Sequence, residues 1–192
     1  MSLNTLVVYG SVRTTRQGIK AARFVTNQCT TRGHQAMLVD PLEENLPLLD
    51  RMFKEYAAGE APPRLAELAT RIKEADALIV VSGEYNHSIP PALSNVLCHF
   101  LEEYFWKPSG IVCYSAGAFG GVRAAMQLRA MLGELGTPSI PTILPVPRVQ
   151  DSFDDADNPR DPTLLQRTGR FLEELEWYAR ALHEARKAGV PY

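Results

Sequence analysis

Absences narrow the reading first. The chain has only three cysteines, Cys29, Cys98 and Cys113, far apart and odd in number. No CxxC pair and no Cys/His spacing of metal-ligand type occurs, so a disulfide framework is disfavoured and no metal site is expected. Cys98 and His99 are adjacent, but neighbours on a helix point in different directions and make no thiolate pair by themselves. No apolar run approaches the ~20 residues that cross a bilayer, and the opening MSLNTLVVYG carries no basic leader. The expectation is therefore a cytoplasmic protein with no membrane partner. No stretch concentrates Lys and Arg as a phosphate-backbone footprint requires, which argues against a nucleic-acid partner. The net charge is −2 with a pI near 6.1. That falls short of the one-signed field by which an acidic electron carrier docks on its redox partners. Finally, there is no GxGxxG fingerprint, no GK[ST] loop and no solenoid repeat.

What is present is ordinary for a globular chain. Hydrophobic residues make up 45% and charged residues 22% of 192 residues, which fits one domain over 1–192 able to bury its apolar side chains in a single core. Short β-branched runs without alternation, expected for strands covered on both faces, stand at 5–9, 77–82 and 111–114. A second strand is read at 35–39, closed by Asp40-Pro41, with Asp40 as a turn residue. A fifth, at 140–146, holds prolines that suit a sheet edge. Helical spacing is read at 19–32, 64–74, 91–101, 120–135 and 163–187, with 151–162 as a polar surface loop. The irregular stretch 42–63 contains Leu46, Leu48, Leu49, Met52, Phe53 and Tyr56, and a loop of that length is expected to be functional or interfacial.

Five alternations of strand and helix predict an α/β fold: a five-stranded parallel sheet in the order 2-1-3-4-5, with helices on both faces and right-handed crossovers. In that order the loops after strands one, three and four open at one carboxyl edge, beside the switch point where such sheets bind ligands. One ligand could touch all three.

The first loop, GSVRTTRQG, leads into a helix, so its backbone N–H groups favour an anion, and Arg13 and Arg16 can pair with phosphate charge. It can equally be a plain polar turn with solvated arginines. In GEYNHSIP, Tyr85 offers an aromatic wall, while Asn86, His87 and Ser88 offer donors and acceptors to a flat heteroaromatic edge. The competing reading is a capped helix start with Ser88 or Asn86 as N-cap and His87 solvated at the rim. SAGAFGG contributes small residues that let backbone approach a ring, or simply a tight turn, and Phe119 is read as core rather than a ligand cap.

GSVR at 10–13, GEYNHSIPPALSNVL at 83–97 and SAGAFGGVRAAMQLRAMLGELG at 115–136 resemble, in order and spacing, the NAD(P)H-dependent FMN reductase family. The resemblance runs from Leu6 to about Ile143. It implies a flavodoxin-like three-layer sandwich, noncovalent FMN, NADPH or NADH as co-substrate, and reduction of a small acceptor such as a flavin, quinone or azo compound. By matching motif, it implies that Ser11, Arg13, Arg16, Gln17 and Gly18 hold the phosphate. Glu84, Tyr85, Asn86, His87, Ser88 and Ile89 would border the isoalloxazine, with Ser115, Ala116, Gly117, Gly120 and Gly121 on its other side. No residue is assigned as catalytic, because the flavin carries the chemistry. The chain departs from the family at Gly83, where Pro is usual, and at Cys98, where Asp is frequent.

The resemblance also implies a homodimer or a dimer of dimers. The loop 46–56 and the helical stretch 92–106, with Phe100, Tyr104, Phe105 and Trp106, are candidate contacts; for Phe100 the monomer core is the alternative. The leading expectation is an FMN-dependent NAD(P)H oxidoreductase. The alternatives are a flavodoxin-like electron carrier or flavin-binding module without nicotinamide turnover, and a flavin-free structural relative.

Overall fold

The structure is a computed structural model describing all residues 1–192. In chain order the elements are β1 (Asn4–Tyr9), α1 (Ile19–Thr31), β2 (Gln35–Val39), α2 (Pro41–Glu44), α3 (Pro63–Glu74), β3 (Ala77–Gly83), α4 (Pro91–Cys98), β4 (Ser109–Tyr114), α5 (Val122–Glu134), β5 (Ser139–Val146), α6 (Val149–Ser152) and α7 (Pro162–Ala188). All strand pairs are parallel and the order is β2-β1-β3-β4-β5, the flavodoxin-like arrangement expected from the alternation.

The unbroken apolar runs follow from burial on both faces. Successive side chains leave a strand on opposite sides, so Val7, Tyr9, Ile79 and Val81 meet Phe24, Val25, Phe171 and Leu175 of α1 and α7. Leu6, Val8, Leu78 and Val80 meet Leu68, Ile72, Leu93 and Leu128 of α3, α4 and α5 on the other side. Two apolar layers therefore lie on either side of one sheet. All seven residues of β3 are buried, which makes it the central strand from which the middle loop emerges.

Three local expectations change. The helix after Pro90 stops at Cys98 instead of 101, and the chain turns through Leu101 and the 3-10 segment Glu102–Tyr104. This sends Phe100 and Tyr104 inward, fully buried, with ring centroids 6.3 Å apart at right angles, so these two belong to the core and not to an interface. The stretch 151–162 is not simply a surface loop. It begins within α6 and closes a bridge between Phe153 and Pro159, and Phe153 is buried against Phe24 at 5.6 Å. Lys107 is buried too, its Nζ donating to the carbonyl of Ile72 and to those of Lys73 at 2.9 Å and Glu103 at 2.8 Å. The Ile72 and Lys73 carbonyls belong to the last turn of α3, where i+4 helical donors run out.

Candidate functional site

β1 ends at Tyr9 and the chain turns through Gly10, where a Cβ would lie 2.9 Å from that of Leu93. The loop 11–18 then enters α1 with no side-chain cap. The amides of Thr14, Thr15, Arg16, Gln17 and Gly18 donate to no protein group, and they precede a 13-residue helix whose dipole adds positive potential. Arg13 is exposed and unpaired. Arg16 is placed differently: its guanidinium pairs with the buried carboxylate of Asp40 and donates to the Ser11 carbonyl at 3.3 Å. The hydrogen bond it donates to Asp40 holds its pKa above the ordinary arginine value. Asp40 is the turn residue the sequence suggests, accepting from Leu42 N at 3.0 Å to cap α2, and through Arg16 it also anchors the first loop. Gln17 is exposed and Gly18 buried at the loop's end.

The middle loop is a two-residue hairpin turn. Tyr85 and Ser88 exchange backbone bonds of 3.0 and 2.9 Å, while Asn86 and His87 have φ of 51° and 63°. Consecutive left-handed residues are what such a turn requires, and Asn and His tolerate that region better than most side chains. The amides of Asn86 and His87 donate to nothing in the protein, and both side chains are exposed. Tyr85 reaches across to the first loop, its hydroxyl 3.0 Å from Ser11 Oγ. Ile89 is half-buried against the core beneath.

Two residues of this loop face α5. Glu84 accepts from the amides of Arg123 at 3.0 Å and Ala124 at 3.4 Å and pairs with the Arg123 guanidinium at 3.5 Å, an anion on a helix N-terminus. Ser88 donates to Gln127 Oε1 at 2.7 Å, and Gln127 returns a bond to the His87 carbonyl at 2.8 Å. α5 thus grips the middle loop, and the groups left open are those at the Asn86-His87 tip.

The third loop follows β4. Ser115 Oγ donates to the Gly117 carbonyl at 3.0 Å, Ala116 and Gly117 are exposed, and the amides from Ala116 to Gly121 have no protein acceptor. At Gly121 φ is 81° and a Cβ would stand 2.6 Å from the Tyr114 carbonyl oxygen, so only glycine lets the chain turn there. Phe119 is not core: it is 63% exposed, with the Arg123 guanidinium 4.4 Å from its ring centre.

Beneath the loops lie residues that the motif reading passed over. The hydroxyl of Tyr114 donates to that of Tyr9 at 3.3 Å, with ring centroids 6.3 Å apart, and burial pushes both phenol pKa values up. The signal available in the sequence was a tyrosine closing each of two strands just before a small residue. A cavity of about 450 Å³ at the opposite edge, lined by Asn4, His34 and Arg71, includes none of these loops.

The structure therefore brings Ser11, Arg13, Gln17 and Gly18 to the same sheet edge as Tyr85 to Ile89 and Ser115 to Gly121, with Arg16 and Glu84 turned to protein partners. The donor set suits an anion beside a flat polar ring: unpaired amides and a free guanidinium on the first loop, unpaired amides on the other two. That is the chemistry of a phosphate-tailed flavin, and FMN fits it.

Comparison with known proteins agrees. The family model described as NADPH-dependent FMN reductase matches residues 3–151. A quinone reductase of Pseudomonas putida is 31% identical over 138 residues, covering 69% of this chain and 70% of that protein. An NAD(P)H-dependent FMN reductase of Pseudomonas aeruginosa is 29% identical over 133 residues, 66% of this chain and 71% of that one. Among solved structures, the flavoenzyme NAD(P)H:(acceptor) oxidoreductase of Paracoccus denitrificans superposes with a TM-score of 0.75 at 20% identity, over 93% of this chain and 98% of the other, a likeness of fold.

Proposed function

Because the chain belongs to the NADPH-dependent FMN reductase family, we propose that its three convergent loops form one FMN site, with the phosphate on the first loop and the isoalloxazine between the other two. The protein is an FMN-dependent oxidoreductase that uses NAD(P)H. The acceptors proposed are small molecules: a flavin, a quinone or an azo compound. A carrier without nicotinamide turnover is disfavoured by the named activities of the relatives and by the mild net charge.

The observation that carries the site is the surplus of donors where the ligand needs them. Thr14 to Gly18 supply amides and Arg13 supplies a guanidinium, all without protein acceptors. Bound FMN would supply the redox chemistry between the nicotinamide and the acceptor. The chain's own part is to bind and orient. Arg13 and the loop amides hold the phosphate, and Arg16, through Asp40, keeps the loop in place. Ser11 sets the Tyr85 ring, and the Asn86 and His87 amides favour negative charge on the ring's polar edge. Glu84 and Ser88 tie the middle loop to α5, which holds the width of the cleft.

The reading includes one domain over 1–192, a cytosolic location supported by three unpaired thiols, and a homodimer, alone or paired into a dimer of dimers. Exposed Leu48 and Leu49 on the 46–56 loop support a second copy docking there; Asn95 holds that loop by bonds to Leu49 N and the Pro47 carbonyl at 2.9 and 2.8 Å. The test of function is the visible spectrum after FMN is supplied, then anaerobic addition of NADPH or NADH. Flavin bound and bleached is expected. Failure to retain flavin refutes the site, and flavin that stays oxidised with both nucleotides leaves the carrier.

A further inference from the structure

Beside the third loop, at the end of β5, a cavity of about 340 Å³ is lined by Ala118, Arg148, Arg160, Arg167, Asp151 and Asp161, among others. Its charged groups are not equivalent. Asp161 is committed to the start of α7, accepting from the Thr163 amide at 2.9 Å and from the Thr163 hydroxyl at 2.5 Å. Asp151 accepts from Gln150 at 3.1 Å. Arg160 gives one bond to the Phe153 carbonyl at 3.2 Å, and Arg167 one to the Pro145 carbonyl at 3.0 Å. Each bond sets a guanidinium plane while leaving most of its N–H groups free. Arg148 has no side-chain partner among the hydrogen bonds or ion pairs.

Arg148 is also held by its backbone in an uncommon conformation. Its φ is 46°, in the left-handed region. Its amide donates to the Gly117 carbonyl at 3.0 Å, and its carbonyl accepts from Asp151 N at 2.8 Å and Ser152 Oγ at 3.1 Å. A non-glycine residue rarely adopts that region. The strain persists because Arg148 is pinned to the loop that borders the flavin site, and such pinned outliers cluster at functional sites.

We propose that Arg148, with Arg160 and Arg167, receives a phosphate group of the nicotinamide dinucleotide, so that this cavity is the docking site for the hydride donor's nucleotide half. The inference rests on the nicotinamide reading above. Guanidinium groups recognise phosphate through paired N–H donors. Arg148 is bonded to Gly117, and Ala118 of the same loop lines the cavity together with all three arginines, so the cavity adjoins the loop that borders the proposed isoalloxazine. Neither the phosphate loop nor any dinucleotide fingerprint supplies another anchor for that half of the molecule.

The test uses FMN-loaded protein and two variants, Arg148→Asn, chosen because Asn tolerates the left-handed region, and Arg167→Gln. Donors are NADPH, NADH and 1-benzyl-1,4-dihydronicotinamide, which has no phosphate. The expected result is a roughly tenfold rise in KM for the dinucleotide with kcat nearly unchanged, and less than twofold change with the benzyl compound. Calorimetric affinity for 2′,5′-ADP and ADP falls in step. Loss with NADPH alone assigns the 2′-phosphate, and loss with both dinucleotides assigns the pyrophosphate. Unchanged KM and unchanged nucleotide affinity overturn the proposal, as does equal loss with the benzyl compound. A loss confined to an anionic quinone acceptor overturns it in favour of acceptor binding. If wild-type protein holds FMN yet oxidises none of the three donors, the reductase reading falls and the cavity is judged on nucleotide affinity alone.

Discussion

The ring of Tyr114 fills the space that a side chain at Gly18 would need: a Cβ there would lie 2.1 Å from Tyr114 Cζ. At Gly83 the same ring would stand 3.0 Å from a Cβ. Two of the three loops are thus spaced by one buried tyrosine, and glycine at 83 is the counterpart of tyrosine at 114.

Gly18→Ala should therefore be more damaging than Gly83→Ala. Overpacking costs typically about 1–3 kcal/mol, and the tighter site is expected at the upper end. Urea midpoints measure both. Adding Tyr114→Leu should restore part of the Gly18→Ala loss, and strictly additive midpoints would refute the account.

The two arginines of the first loop should part company. Arg13→Ala is expected to weaken FMN roughly tenfold while riboflavin, which has no phosphate, binds as before. Arg16→Ala should instead lower stability by about 3 kcal/mol, because Asp40 is left as a buried carboxylate without its cation. Fluorescence titration with both ligands decides the first, urea unfolding the second. Equal losses of FMN and riboflavin in Arg13→Ala would remove the phosphate assignment.

Lys107 gives a pH signature. Burial, chiefly, presses its pKa from 10.5 to about 8, so between those values the unfolded chain binds more protons than the folded one. Stability contributed by this group accordingly rises as pH increases through that window and is absent below it. From pH 7.5 to 10.5 wild type should gain up to about 3 kcal/mol of unfolding free energy relative to Lys107→Met. A gap that stays flat contradicts the assignment.

Thiol chemistry should follow burial. The Cys29 and Cys113 thiols are pushed up to about 12 by burial, which leaves about one thiolate in ten thousand at pH 8. Cys98 is half-buried and raised as well, by burial alone. An excess of a disulfide reagent should titrate at most one thiol rapidly in native protein, and all three in urea. Two fast native thiols would be inconsistent with the core described.

Leu48 is 85% exposed. If a second copy covers it, sedimentation at micromolar concentration should report a dimer or tetramer, and Leu48→Glu should shift the population toward monomer. A wild-type monomer ends that proposal.

Much of this was legible in the residues. The sheet order followed from alternating β-branched runs and amphipathic segments, because parallel strands need helical crossovers and right-handed ones prune the topologies. The three loops were visible as Gly-rich or polar punctuation after strands. Less legible was where each polar side chain goes. Arg16 reads as a phosphate ligand until Asp40, on the neighbouring strand's end, is seen beside it. Glu84 reads as a ring neighbour until α5 presents its amides, and Phe119 reads as core until the Gly120-Gly121 turn leaves it outside with Arg123 over its ring.

The sequence by itself determined the main strands and helices, their order and which loops share one edge of the sheet, since these depend on local periodicity and on turn chemistry carried by adjacent residues. Only the tertiary structure decided which charges remain free for a ligand. Tyr114 against Gly18, Arg16 on Asp40 and Arg148 pinned to Gly117 are pairings between residues far apart in the chain. Whether such groups meet depends on how helices and strands pack, which local spacing does not encode.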